Sequence, residues 1–302
     1  MREIKNIPAS VHHRLQNKAR ESSRTFGELL QHYAIERFIY RVSKTSHADK
    51  FFLKGALMLR AWGGPGVRPT MDIDFLGRTD NSLQSIESIM KDVCEAVVEA
   101  DGMSFDPDSV RTVTITEDAE YDGVRVRLQG RLGTARISIQ VDIGFGDIVV
   151  PECKQVIYPT LLDFPAPELA GYSMESSIAE KFQAMVKLSQ LNSRMKDFYD
   201  VWLLSRMFDF QGKVLMQAIV ATFNRRKTAL DSASDLFRTT LRRDKSKQSQ
   251  WSAFLKKLKL EDCPDDFGSV LDHMESFLVP PAEAVMTDEN FDLFWYAPGP
   301  WK

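Results

Sequence analysis

The chain is poor in cysteine, has no long apolar run and carries no large excess of either charge. Its three cysteines, Cys94, Cys153 and Cys263, are widely spaced and odd in number, which fits neither a disulfide framework nor a zinc site. No apolar stretch approaches the roughly 20 residues that a membrane-spanning helix needs. The opening residues Met1-Arg2-Glu3-Ile4-Lys5-Asn6-Ile7-Pro8 lack the apolar core of an export signal. The five histidines, His12, His13, His32, His47 and His273, show no metal-ligand spacing. These absences predict a cytoplasmic protein with no membrane partner.

What is present describes a folded protein. Of 302 residues, 43% are hydrophobic and 27% charged, which excludes a disordered chain and leaves room for one large domain or two ordinary ones. The net charge of −3 is unevenly spread. Residues 1–54 hold 11 Lys/Arg against 5 Asp/Glu, residues 224–259 hold 11 against 3, and residues 260–302 hold 1 against 10. Either basic segment can be a solvated helix face or an attractor of polyanions.

Hydrophobic periodicity divides the chain into blocks. Residues 8–45 read as helical, with Pro8 or Ser10 near the cap. Residues 51–60 read as a strand leading into a short helix, and Gly63-Gly64-Pro65-Gly66 as a turn. Met71 to Leu76 alternates, which is the period of a strand. Residues 82–100 form an amphipathic helix, with Val97 among its apolar positions. Strand-like runs follow at 110–116, 123–129 and 135–143. The Pro-rich stretch 150–172 reads as an irregular surface linker, the chain beyond Ser173 as helical to about Phe277, and residues from Pro280 as an aromatic tail. The expected domains are a helical segment 1–50, a mixed α/β core 51–172, a helical region 173–279 and a tail 280–302.

Asp72 and Asp74 are one residue apart on the strand at 71–76, so alternation sends both side chains to one face. Taken alone, an Asp-x-Asp is usually a solvated face, but the neighbouring residues shift the balance. Two adjacent carboxylates repel unless a cation lies between them. Carboxylate oxygens on a rigid strand suit Mg2+, which takes one or two of them together with substrate phosphates. Asp142 in Ile139-Gln140-Val141-Asp142-Ile143 offers a third metal-binding carboxylate on another alternating strand. Such a site serves in-line displacement at a phosphate. Lys54, Gly55, Arg68 and Thr70 are candidate phosphate-binding positions, Gly55 because its backbone can approach closely.

The segment Phe52-Leu53-Lys54-Gly55-Ala56-Leu57-Met58-Leu59, followed by Arg68-Pro69-Thr70-Met71-Asp72-Ile73-Asp74-Phe75, resembles the first motif of the AbiEii/AbiGii-type nucleotidyltransferase toxins. These belong to the DNA polymerase β-like nucleotidyltransferase superfamily. Ile178-Ala179-Glu180-Lys181-Phe182-Gln183-Ala184-Met185 resembles the family's Glu-Lys helix, and Arg194-Met195-Lys196-Asp197-Phe198-Tyr199-Asp200 its downstream Arg/Asp motif. The resemblance covers about residues 5–280. It implies an α+β fold, in which a nucleotidyltransferase-type mixed sheet with flanking helices is followed by a helical C-terminal region that completes the active site. It further implies that Asp72 and Asp74 bind metal, that Lys181 contacts the nucleotide triphosphate, and that Asp197 or Asp200 completes the site as base or support. Some relatives add nucleotides to the acceptor end of tRNA and are restrained by a cognate antitoxin. The chain departs from the superfamily at Gly55-Ala56, where Gly-Ser is usual, so phosphate binding leans on backbone amides, Lys54, Arg68 or Thr70.

The expected activity is transfer of a nucleoside monophosphate from an NTP to an RNA acceptor, with the tRNA 3′ end the first target, by the toxin of a toxin–antitoxin pair. Arg225, Arg226, Lys227, Arg242, Arg243, Lys245 and Lys247 are candidate RNA contacts by charge. The alternatives are transfer to a protein or small-molecule hydroxyl, and a non-catalytic nucleic-acid-binding regulator using residues 8–45.

Overall fold

The computed structural model describes residues 6–22, 24–64, 69–118, 121–230, 236–237, 239–260 and 262–302. The chain divides into two compact units. One takes Met1–Gly63, Pro69–Gly146 and Lys154–Gly171, and the other includes Asp147–Cys153 and Tyr172–Lys302.

The first unit begins with two helices, the second carrying Leu29, Leu30, Tyr33, Ala34, Arg37 and Phe38 at the three-to-four spacing that the sequence shows. Helix α1 (Ile7–Glu21) is capped by Asn6, whose side chain accepts from the Ala9 amide, and Pro8 sits in its first turn where no N–H is needed. Helix α2 (Phe26–Lys44) starts in a capping box between Thr25 and Glu28. Strand β1 (Phe51–Lys54) leads into the short helix α3 (Ala56–Ala61), as the sequence predicts. Then follow β2 (Asp72–Gly77), α4 (Leu83–Glu95), β3 (Met103–Asp118), β4 (Tyr121–Leu132) and β5 (Ala135–Phe145). Helix α4 stops before Val97, which is 98% exposed and so leaves the apolar face assigned to it. Strand β3 runs past the irregularity between Asp106 and Arg111, which contains Pro107 and hides the strand's first half from a pattern search.

These strands form one seven-stranded sheet in the order β3-β4-β5-β2-β1-β7-β6. Its last two members correct the sequence reading of 150–172 as an irregular linker: β6 (Lys154–Ile157) pairs with β7 (Glu168–Gly171), and β7 runs parallel to β1. At four residues each, these strands are too short for alternation to show. Strand β2 lies parallel to β5, which requires the long crossover through α4, β3 and β4. One sheet face is apolar. Ile73, Phe75, Val126, Leu128, Ile139, Val141 and Ile143 are buried there, and α2 and α4 pack on this part of the unit.

Helix α2 also anchors the Pro-rich stretch between β6 and β7. Glu36 Oε2 accepts from the Leu161 amide at 2.6 Å, and the Arg37 guanidinium donates to the Pro165 carbonyl at 2.9 Å. Glu36 and Arg37 pair with each other at 2.8 Å and are fully buried. Burial pushes the Glu36 carboxyl from 4.5 up to about 7, against the pull of Arg37 and the Leu161 amide.

The second unit is mainly helical, as the sequence predicts. It holds α5 (Met174–Leu188), α6 (Met195–Met207), β8 (Phe210–Gln211), α7 (Gly212–Arg225), α8 (Thr239–Arg242), α9 (Lys245–Leu258), α10 (Phe267–Thr287) and β9 (Phe294–Trp295). Helix α10 continues through Pro280 and Pro281, correcting the expected stop near Phe277. A proline at 281 has no N–H to give to the carbonyl four residues earlier. That carbonyl, of Phe277, accepts instead from Trp301 Nε1 at 3.0 Å, and the two rings stack with centroids 5.6 Å apart. The aromatic tail therefore docks on the helix whose prolines it compensates. Trp295 is buried beside it and donates to the Ser205 carbonyl.

Because the folded state holds a proton on Glu36 that the unfolded chain releases above pH 4.5, this group's contribution to stability is full below that pH and is lost as pH rises to about 7. The swing is on the order of 3 kcal/mol, at about 1.4 kcal/mol per pKa unit. Urea unfolding at pH 5 and pH 7.5 is expected to show it in the parent chain and to show it flattened in Glu36→Gln.

Candidate active site

The polar face of the first unit's sheet carries the candidate chemistry. Register places Lys54 of β1 opposite Asp74 of β2, Asp74 beside Asp142 of β5, and Asp142 opposite Arg125 of β4. One row across four strands thus reads Lys54, Asp74, Asp142, Arg125. Asp72 sits in the next row, beside Gln140, which lies opposite Arg127. The intervening residues Ile73, Phe75, Val141 and Ile143 point into the core, so alternation fixes the direction of the acids.

Asp142 is tightly held. Arg125 Nε donates to its Oδ1 and Arg125 Nη2 to its Oδ2, both at 2.8 Å, in a bidentate pair. Sequence reasoning missed Arg125, whose signal was the polar phase of a strand read only for its apolar phase. Gly55 explains how Asp74 is seated. Its φ is +70°, and a Cβ there would lie 2.1 Å from Asp74 Oδ2. The carboxylate occupies the space that a side chain at residue 55 would fill. The Thr70 hydroxyl donates to the Asp72 carbonyl at 3.3 Å. Arg68 lies outside the described residues.

Among the described residues no three His, Cys, Asp or Glu side chains converge to hold a metal ion. The donor set nevertheless fits an ion of the magnesium type, which needs only one or two carboxylates once substrate phosphates supply the rest. Asp72 and Asp74 would supply such a pair. Asp142 stands beside Asp74, and Arg125 takes one lone pair on each of its oxygens, which leaves others for an ion.

In the second unit, Lys181 on α5 reaches two acids of α6. Its Nζ lies 3.0 Å from Asp197 Oδ1 and 2.9 Å from Asp200 Oδ2. Both acids are fully buried, and Arg194 pairs with the other Asp197 oxygen at 2.6 Å. The four charges cancel. Asp197 and Asp200 share a face of α6 because they are three residues apart. The structure thus brings together the residues of two separate sequence motifs.

Three of the seven cations expected to meet RNA are committed internally instead. Arg226 pairs with Asp147 at 3.1 Å and Glu180 at 3.3 Å. Arg242 pairs with Asp272 and Glu275. Lys247 is buried and donates to the Asn192 carbonyl at 2.7 Å. These partners, four acids and one backbone carbonyl, lie elsewhere in the unit, which a count of charge along the chain does not register.

A mixed sheet with paired acids on its polar face, flanking helices and a helical C-terminal region define a nucleotidyltransferase of the kind the motifs resemble. The family model described as Nucleotidyl transferase AbiEii toxin, Type IV TA system, matches residues 37–273. The chain belongs to this family and is therefore a nucleotidyltransferase and the toxin of a type IV toxin–antitoxin system. No curated protein matches it. Among solved structures it is similar to MenT4, a nucleotidyltransferase toxin from Mycobacterium tuberculosis, at 15% identity and a TM-score of 0.47, covering 92% of this chain and 98% of that one. It is also similar to JHP933 from Helicobacter pylori, at 13% identity and a TM-score of 0.46, covering 86% of this chain and 97% of that one.

Two substitutions probe the geometry. Gly55→Ala must displace Asp74, and a shift of about 1 Å at a reacting centre costs about 100-fold in rate; transfer assays are expected to show a loss of that size. Lys181→Met removes a cation from two buried carboxylates, which is expected to cost about 3–5 kcal/mol in urea unfolding. Lys181→Arg, which keeps the charge, should restore most of that. Unchanged stability in Lys181→Met would show that the lysine does not hold α5 to α6.

Proposed function

We propose that the chain transfers a nucleoside monophosphate from an NTP to the 3′ end of an RNA, tRNA being the first acceptor to test, in a Mg2+-dependent reaction. The observation that carries the proposal is the row Lys54, Asp74, Asp142, Arg125 with Asp72 in the neighbouring row. It sets acids where a divalent ion and an attacking hydroxyl are needed, and cations at both ends of the row, where phosphate charge collects.

In this reading Asp72 and Asp74 hold the ion. Bound there, a magnesium ion would withdraw charge from the triphosphate and orient it for in-line attack. Lys54 and the Gly55 backbone face the transferred phosphate, with Thr70 fixing the start of β2 and Arg68 adding a guanidinium. Asp142, with Arg125 across its two oxygens, sets the field around Asp74. Lys181, paired with Asp197 and Asp200, serves the triphosphate, and one of those acids supports the acceptor's proton loss. Soluble placement in the cytoplasm follows from this substrate. The family's type IV system supplies an antitoxin as the counterpart that restrains the activity.

Incubation with labelled NTPs, Mg2+ and total RNA is the direct test. Label is expected on RNA in a band of tRNA size, and chelation of divalent ions should abolish it. Asp72→Ala should lose both transfer, by at least about 1000-fold, and growth inhibition, with an unchanged thermal midpoint. Transfer that survives Asp72→Ala would sink the site assignment, and label confined to protein would move the acceptor to a protein hydroxyl.

A further inference from the structure

The polar face of the sheet does not end at the acids. Beyond the row that contains Asp74, the alternation of β4 and β5 sets further arginines on the same side. Arg111 of β3 lies opposite Arg127 of β4, and Arg131 of β4 opposite Arg136 of β5. With Arg125 this makes five arginines on one face, and Arg111, Arg127, Arg131 and Arg136 are exposed. Gln129 and Ser138, also exposed, occupy the positions between them. From the Asp142 row to the Arg136 row is six residues of β5, or about 20 Å at the usual rise of a strand.

The other acids of this face are few, although Asp106 of β3 lies opposite Gln129, in the row between Arg127 and Arg131. Asp142 is bound by Arg125. Asp106 and Asp108 lie at the irregularity of β3, where Asp106 accepts from the Asp108 amide and Arg111 donates to the Asp108 carbonyl. Opposite-phase positions of β4 and β5 are buried Val124, Val126, Leu128, Ile137 and Ile139, so packing of the core demands none of these arginines. A solvated sheet face would be served by Lys, Thr, Gln or Glu as well. Arginine presents a planar fork suited to phosphate oxygens.

We propose that this arginine face is the track on which the acceptor RNA lies, its backbone running from the β4–β5 turn toward Asp72 and Asp74. The inference rests on the reading of the acceptor as RNA and specifies where it binds. Among the described face residues Val113 is the one exposed apolar side chain, at 50%. A protein partner would need buried aromatic or aliphatic anchors, whereas a phosphate backbone needs cations and little else. The track also replaces part of the basic segment 224–259, whose Arg226, Arg242 and Lys247 are committed internally.

The test measures binding of a fluorescent RNA hairpin with a single-stranded 3′ overhang, without NTP, as a function of salt. Arg127→Gln/Arg131→Gln/Arg136→Gln is compared with the parent chain and with Lys245→Gln/Lys256→Gln/Lys257→Gln on α9. The strand variant is expected to lose at least tenfold in affinity and to lower the salt slope by about 2, at roughly 0.7 per phosphate contact on a single strand. The α9 variant should change affinity less than threefold, and all three proteins should share one circular dichroism spectrum. If the strand variant binds like the parent while the parent still labels RNA, the track is wrong and the acceptor reading stands. If the strand variant loses the hairpin but the parent labels no RNA, the surface is a polyanion site and the acceptor reading fails. Loss in the α9 variant alone would overturn the track outright.

Discussion

Parallel pairing of β2 with β5 puts Asp74 directly beside Asp142, and the first unit is arranged around that repulsion. Like charges opposite each other on a sheet face destabilise it. The row is closed by Lys54 on one side and Arg125 on the other, and the core on the opposite face holds the register. A slip of one residue would turn Ile73, Phe75, Val141 and Ile143 outward and the acids inward. Apolar burial therefore keeps the carboxylates together despite their charge. Gly55 adds the steric half of the constraint, because only a residue without a side chain leaves Asp74 its place.

The second unit uses charge differently. Lys181, Asp197, Asp200 and Arg194 form a neutral cluster in which the acids are fully buried. Such a cluster is weak evidence for stability, since desolvation offsets much of the attraction, but it is intolerant of losing one member. A lysine held this way is fixed in direction by two carboxylates of the neighbouring helix. It also means that activity alone cannot separate chemistry from scaffolding at residue 181, whereas stability can.

Much of this was legible in the sequence where one element carried the pattern. The alternation from Met71 to Leu76 gave β2 and the shared face of Asp72 and Asp74, and the apolar phase of 135–143 gave β5 and Asp142. Spacing of three gave Asp197 and Asp200 a common helix face. What stayed hidden depended on partners distant in the chain. No local pattern announces that Arg125 pairs with Asp142, that Arg226 meets Asp147 and Glu180, or that Lys247 reaches a backbone carbonyl. Strands β6 and β7 were hidden by brevity, and the length of α10 by its prolines, whose orphaned carbonyl at Phe277 is satisfied by a tryptophan from the tail.

The same distinction bears on how a basic region is recognised. Summed along the chain, residues 224–259 are the most cationic segment, yet three of their charges are spent inside the second unit. Residues 111–136 attract no attention in such a sum, because Glu117, Asp118, Glu120 and Asp122 offset their five arginines and apolar residues dilute them further. Folding removes the dilution. Alternation sends the apolar half into the core and leaves arginine beside arginine on neighbouring strands, about 5 Å apart in the pairing direction. Charge density at a surface is set by strand register, and in this protein the register that assembles the acids assembles the arginines too.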